Sequence, residues 1–140
     1  MVDQPRIIQL PRVEDSRGNL SFIEEGGHFP FTMSRVFWIY DVPGGEQRGG
    51  HAYKTAREFI VALSGSFDVV LFDGMMESRF SLNRSYYGLF IPKMIWRHME
   101  NFSTNSLALI VTDTHYSVAD YIRDRSDFKK LIDEAKIHDQ

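Results

Sequence analysis

Short apolar runs, cut at intervals by turn-forming residues, govern what this chain can fold into. The run "RVFWIYDV" is rich in β-branched and aromatic residues and stops at "PGGEQRGG", where Pro and Gly break it. "EFIVAL" and "SFDVVLF" follow, joined at Ser64-Gly65. In the second of these, Phe67, Val69 and Leu71 share one face and Asp68, Val70 and Phe72 the other, the period of a strand. "FDGMM" places an Asp-Gly hairpin turn at Asp73 and Gly74. "YYGLFIP", "IWRHMENF" and "SLALIVTD" continue at similar spacing. Many short strands with regular turns predict a mainly β sandwich or barrel. Near the end the period changes. Phe128, Leu131, Ile132 and Ala135 recur at helical spacing behind Ser126, a residue suited to cap a helix. "VADYIRD" just before them reads as a further helical turn. The expectation is one domain over residues 1–140, with a barrel over about 1–115 and a helical tail over about 117–138 covering it.

Composition narrows the function classes. A chain of 140 residues buries a single core without staples. It has no cysteine, which removes disulfides and thiolate chemistry and fits a cytoplasmic protein. No segment has the length of a membrane-spanning helix. A net charge of −3 argues against wholesale binding to nucleic acid or a membrane surface, while leaving room for a local arginine cluster that grips an acidic ligand.

The chemistry concentrates in "GEQRGGHAYKTAREFIVALSG". Gly45, His51, Glu58 and Gly65 fall in the frame of the first motif of the cupins, small double-stranded β-helix barrels of the jelly-roll type. Tyr53 stands where that motif has its second His. The stretch "PKMIWRHMEN" resembles the second cupin motif, with Pro92 and Asn101 in frame, Met94 in place of Gly and Arg97 in place of the metal-binding His. Arg97 is permanently cationic and offers a metal no lone pair. His98, next to it on a strand, points to the opposite face. The expectation is therefore no metal, and His51 as a free imidazole able to act as a base.

The chain resembles the TDP-4-keto-6-deoxyglucose 3,4-ketoisomerases, metal-free cupins of nucleotide-deoxyamino-sugar biosynthesis. The blocks "EDSRGNLSFIEE", "FPFTMSRVFWIYDVPGGEQRGGHAYK", "SYYGLFIPKMIW" and "DYIRD" carry the resemblance over nearly the whole length. It implies a cupin fold, a thymidine diphosphate (TDP) keto sugar as ligand, no cofactor, and a homodimer with N-terminal strands contributed across the interface. Family members commonly read Arg-Gly-x-His-Ala-His-Lys; here Arg48, His51, Ala52 and Lys54 match and Tyr53 departs. The resemblance implies His51 as the base at sugar C3. The second His of the family relays a proton between the oxygens at C3 and C4. Tyr53 either takes that relay or fills space, and a cation at Arg48 or Lys54 would favour its phenolate.

Glu58 is either a leftover of a metal-binding frame or, the favoured expectation, a hydrogen-bond partner of His51 that fixes its tautomer. Arg17, Arg35, Arg48, Lys54 and Arg97 are the candidates for holding the diphosphate or the sugar oxygens, with Arg97 or Lys54 near the developing enolate. Phe37, Trp38, Tyr86 and Tyr87 are candidates for stacking on thymine. His28, His115 and His138 have no motif and read as surface residues. The expected activity is a keto shift from C4 to C3 through an enediol. The rival is a non-catalytic nucleotide-sugar-binding cupin module that partners a sugar-modifying enzyme.

Overall fold

The computed structural model describes residues 3–26 and 29–138. In chain order the strands are β1 Arg6–Gln9, β2 Arg12–Val13, β3 Leu20–Ser21, β4 Arg35–Tyr40, β5 Arg48–Tyr53, β6 Glu58–Ser64, β7 Phe67–Phe72, β8 Glu77–Leu82, β9 Tyr87–Ile91, β10 Trp96–Glu100, β11 Leu107–Thr112 and β12 Tyr121–Ile122, before helix α1 Arg125–His138. Two five-stranded antiparallel sheets form, in the orders β1-β9-β6-β11-β4 and β12-β5-β10-β7-β8, with β2 and β3 as a separate pair. Among the described residues, no helix is long and apolar enough to cross a membrane.

Alternation along the strands decides what lies between the sheets. Ile60 and Ala62 of β6, Leu89 and Ile91 of β9, and Ala108 and Ile110 of β11 meet Phe67, Val69 and Leu71 of β7, Leu82 of β8 and Met99 of β10. Of the two faces read along β7, the one with Phe67, Val69 and Leu71 is turned between the sheets. Behind the first sheet, Phe59, Val61, Phe90 and Val111 pack under Ile8, Leu10, Phe29 and Phe31. Behind the second, Ala52, Trp96 and Ile122 pack under Phe128 of α1. The helix therefore covers apolar sheet surface, as its apolar stripe requires.

Turn chemistry sets the ends. Asp73 Oδ1 accepts from the amides of Met75 at 2.8 Å and Met76 at 2.9 Å, closing the Asp-Gly hairpin between β7 and β8. Two expectations at the C-terminus need correction. Asp124, not Ser126, caps α1: its Oδ1 accepts from the amides of Ser126 at 2.8 Å and Asp127 at 3.1 Å, and Ser126 lies inside the first turn. The tail is α-helical only from Arg125. Val118–Asp120 is a single 3-10 turn, and Tyr121–Ile122 is a strand that pairs with β5. The reason is tertiary. β5 would otherwise present an open edge, and Ile122 finds its apolar partners only beneath the helix.

Candidate active site

The second motif's glycine position is a left-handed one. Met94 takes it with φ 60°, its amide donating to the Tyr53 carbonyl at 2.8 Å. Asn101, the last residue of that motif, is also left-handed at φ 58°. Between them lies β10, with Arg97 and Met99 facing in and Trp96 facing α1. His98 faces out, as its neighbour relation to Arg97 predicts, and its Nε2 lies 2.6 Å from Glu100.

Opposite β10, strand β5 carries an extra residue. Arg97 pairs with His51 and Met99 with Arg48, so two steps on β10 face three on β5. The bulge falls on Gly49 and Gly50. Gly49 has φ 74°, and a Cβ there would stand 1.9 Å from an Arg97 guanidinium nitrogen. The "RGGH" sequence thus makes room for a buried arginine. A Gly49→Ala change has no place to put its methyl group.

Arg97 is 1% exposed and is the largest fully buried side chain. Its Nε donates to Glu58 Oε1 at 2.6 Å and its NH2 to Glu58 Oε2 at 2.9 Å, while NH1 donates to the Gly49 carbonyl at 3.2 Å. Burial by itself would lower the Arg97 pKa, but the charge and hydrogen bonds of Glu58 outweigh it and the net direction is up. This corrects the expected Glu58–His51 bond: both carboxylate oxygens are turned to Arg97. The forked guanidinium satisfies a buried carboxylate better than a single imidazole N–H can.

The same pair decides the metal question. Two of the four positions of a cupin metal site hold Tyr53 and Arg97, and Glu58, the third, is committed to the arginine. The residues present do not fit a divalent cation.

His51 and Tyr53 point inward from β5, on either side of Ala52, which faces the helix. With Gln47, Arg48, Gly49, Gly50, Phe37, Trp38, Ile39, Arg97, Tyr121 and Arg123 they line a cavity of about 450 Å³ that opens to solvent. His51 is 8% exposed, and its Nε2 is buried without a hydrogen-bond partner. Burial first, then the charges of Arg97, Arg123 and Arg35, push its pKa down to about 2. The imidazole is neutral, with an uncommitted nitrogen. Tyr53 is 5% exposed. Burial and then the nearby Glu58 charge raise its pKa, outweighing Arg97. Phenolate formation favoured by Arg48 or Lys54 is therefore not what the structure holds; Tyr53 is a neutral phenol.

The other candidates divide. Arg48 and Arg97 line the cavity. Arg35 lies close enough for its charge to act on His51, with its guanidinium 4.8 Å from the Phe37 ring and 5.4 Å from that of Tyr116. Arg17 lies in the β2–β3 connection, exposed and paired with Asp15 at 2.8 Å, away from this cavity. Lys54 follows the last inward residue of β5 and turns to a different depression, shared with Thr55, His115 and Asp120. Phe37 and Trp38 reach the cavity, whereas Tyr87 bonds Asn83 and Tyr86 lies under Arg12. His28 lies outside the described residues, as does the side chain of His138. Tyr121 and Arg123 were not singled out from sequence. Reading "VADYIRD" as helical concealed that 121 and 123 share one side at strand spacing.

Two antiparallel sheets with a polar cavity, carrying the two cupin motifs and an Arg–Glu pair at positions of the metal ligands, define a cupin-type jelly roll. Residues 3–133 match the family model described as FdtA: WxcM-like, C-terminal. The chain is 37% identical over 133 residues to the TDP-4-oxo-6-deoxy-alpha-D-glucose-3,4-oxoisomerase of Aneurinibacillus thermoaerophilus, covering 95% of this chain and 94% of that one. It superposes on a 3,4-ketoisomerase from Helicobacter canadensis with TM-score 0.89 at 34% identity, over 92% of this chain and 97% of that one. It also superposes on a His-to-Asn variant of the 3,4-ketoisomerase QdtA from Thermoanaerobacterium thermosaccharolyticum, in complex with TDP-4-keto-6-deoxyglucose. There the TM-score is 0.91 at 27% identity, over 96% of this chain and 97% of that one. The chain belongs to the FdtA (WxcM-like, C-terminal) family of sugar 3,4-ketoisomerases.

Proposed function

We propose that this chain moves the keto group of a TDP-4-keto-6-deoxyhexose from C4 to C3. The observation that carries the proposal is the unpartnered Nε2 of a neutral His51 at the wall of an arginine-lined cavity. A neutral imidazole in a cationic surround can take the C3 proton as the C4 oxygen becomes an enolate. Arg97 faces that charge, and its position is fixed by Glu58 and the Gly49 carbonyl. Arg48 and Arg123, at the more exposed part of the cavity, are the groups for the diphosphate, and Phe37 for the thymine. His51, carrying the proton, returns it to C4. Oxidation at C3 equals reduction at C4, so no redox cofactor takes part. The relatives' names support the substrate class: one is an oxoisomerase of the TDP-4-oxo sugar, and another was crystallised with TDP-4-keto-6-deoxyglucose.

The test mixes the purified protein with TDP-4-keto-6-deoxyglucose, a 3-aminotransferase and its amino donor. A TDP-3-amino sugar is expected, together with exchange of the C3 proton in deuterated water. If the substrate raises the melting temperature and neither product nor exchange appears, the chain is a binding module.

We also infer a homodimer. The outer face of β4, β11 and β6 leaves Val36, Tyr40 and Leu63 exposed, with Trp38 58% exposed. This face runs into an apolar depression of about 380 Å³ lined by Leu10, Phe22, Met33 and Leu109 among others. β4 is a sheet edge, so the patch lies where a second copy can pair. Wild type is expected to sediment as a dimer at micromolar concentration. Trp38→Asp with Leu109→Asp should give monomers, and a monomeric wild type rejects the pairing. The proposal includes a cytoplasmic location, the expectation for a cysteine-free chain acting on a nucleotide sugar.

A further inference from the structure

Tyr121 reaches the cavity by a route its local sequence does not announce. β12 is two residues long and pairs with β5 in the register Tyr121 opposite Tyr53 and Ile122 opposite Ala52. Ile122 packs behind the sheet with Phe128 and Trp96, which forces Tyr121 inward. His51, Tyr53 and Tyr121 then form a triangle of rings. Centroids are 4.8 Å apart for His51–Tyr53, 4.9 Å for His51–Tyr121 and 4.9 Å for Tyr53–Tyr121, all edge to face. The Tyr53 hydroxyl donates to the Tyr121 hydroxyl at 3.4 Å, the one hydrogen bond that the Tyr53 side chain makes among the described residues. Tyr121 is held from its far side, with the Arg123 guanidinium 4.3 Å from its ring and Tyr116 at 5.8 Å.

We propose that Tyr121 is a second relay group, its hydroxyl and that of Tyr53 forming a two-phenol path that carries the proton between the two oxygens of the enediol. The inference rests on the isomerase reading above. Its physical reason lies in the surroundings of Tyr53. Burial and the Glu58 charge oppose a phenolate there, so a proton given up by Tyr53 must be replaced in the same event. The adjacent phenol supplies it. The O3–H bond breaks as Tyr121 accepts that proton; Tyr121 passes its own proton to Tyr53; Tyr53 passes its own to O4. Three protons each move one place, and both tyrosines end neutral. Hydroxyls rotate about their C–O bonds, so the pair can donate in either sense. Two phenol oxygens side by side also suit two oxygens on neighbouring carbons, one for each. The 3.4 Å separation is long for an O–H···O bond and is expected to tighten when substrate oxygens complete the chain. His51 is left to handle the carbon-bound proton alone.

The test compares wild type, Tyr121→Phe, Tyr53→Phe and the double variant. Two rates are read by NMR in deuterated water: exchange at C3 of TDP-4-keto-6-deoxyglucose, and formation of the 3-keto isomer trapped by a 3-aminotransferase. Tyr121→Phe is expected to slow isomer formation roughly 100-fold, the low end for a general acid–base group. C3 exchange and the TDP-induced melting shift should stay within about threefold of wild type. The double variant should be no slower than the worse single variant, because the two hydroxyls act as one path. A purely structural Tyr121 would lower exchange and isomerisation together, and that outcome overturns the inference. So does a Tyr121→Phe enzyme within twofold of wild type, or single effects that multiply in the double variant. A wild type with neither exchange nor product overturns the isomerase reading and this inference with it. An active wild type with an unaffected Tyr121→Phe overturns the inference alone.

Discussion

His51→Asn lowers turnover by a factor of about 10² to 10⁴, the range for loss of a general base, and abolishes solvent exchange at C3. The side chain sits 8% exposed and makes no bond through Nε2, so the substitution removes a basic nitrogen without breaking a network. TDP binding should be nearly unchanged, because the loss falls on the transition state. Retained turnover and exchange would remove His51 from the mechanism. The pH profile gives a second reading of the same residue. With its pKa pushed down to about 2, mainly by burial, His51 stays unprotonated in the free enzyme through mildly acidic solution. The profile of kcat/KM should therefore show no acid limb from His51 between about pH 5 and pH 8. A bound diphosphate brings negative charge into the cavity and raises the imidazole pKa, so any acid limb in kcat lies at higher pH than the one in kcat/KM. Stability has a definite sign too. Below about pH 6.5 the unfolded chain protonates this His and the folded chain does not, so stability falls progressively as pH drops from about 6.5 toward the folded pKa of about 2. His51→Asn should flatten that part of the stability curve in urea titrations.

Arg97→Met is expected to cost about 3–5 kcal/mol of folding stability, because it leaves the Glu58 carboxylate buried without its partner. In a chain of 140 residues that loss lowers the melting temperature by about 10 °C or more. The double change Arg97→Met with Glu58→Met removes both charges and should regain most of the loss, since apolar side chains of similar volume can replace a buried pair at little cost. Activity should not return with stability, because Arg97 faces the developing enolate. A single Arg97→Met variant as stable as wild type would show that the pair is not the buried linchpin its 2.6 Å and 2.9 Å bonds describe.

Much of the barrel was legible because strand alternation is a local signal. Phe67, Val69 and Leu71 share one face of β7, and Asp73-Gly74 makes the turn after it, as the sequence places them; the fold decided that this face is the buried one. The outward turn of His98 beside Arg97 also follows from the two-residue period alone. The resemblance of the motif blocks likewise led to the family to which the chain belongs. The site was only partly legible. Which arginines converge depends on which distant strands pair: β5 and β10 bring Arg48 and Arg97 to the cavity, and Arg17, in the β2–β3 connection, turns to Asp15.

What the sequence determined by itself is the apolar strands β4, β6, β7, β9, β10 and β11, the exclusion of thiol chemistry, and an imidazole at 51 within a motif that has lost two of its four metal-ligand positions. The tertiary structure decided the partnerships. Glu58 and Arg97 are 39 residues apart, and Tyr53 and Tyr121 are 68 apart, yet each pair meets in the folded chain. Spacing cannot choose whether Glu58 bonds His51 or Arg97; a buried carboxylate takes the partner that satisfies both its oxygens, and only the β5 bulge at Gly49 makes room for it. Nor can local pattern show that "DYIRD" leaves helical geometry, because two residues become a strand only when β5 offers an edge and α1 offers a roof.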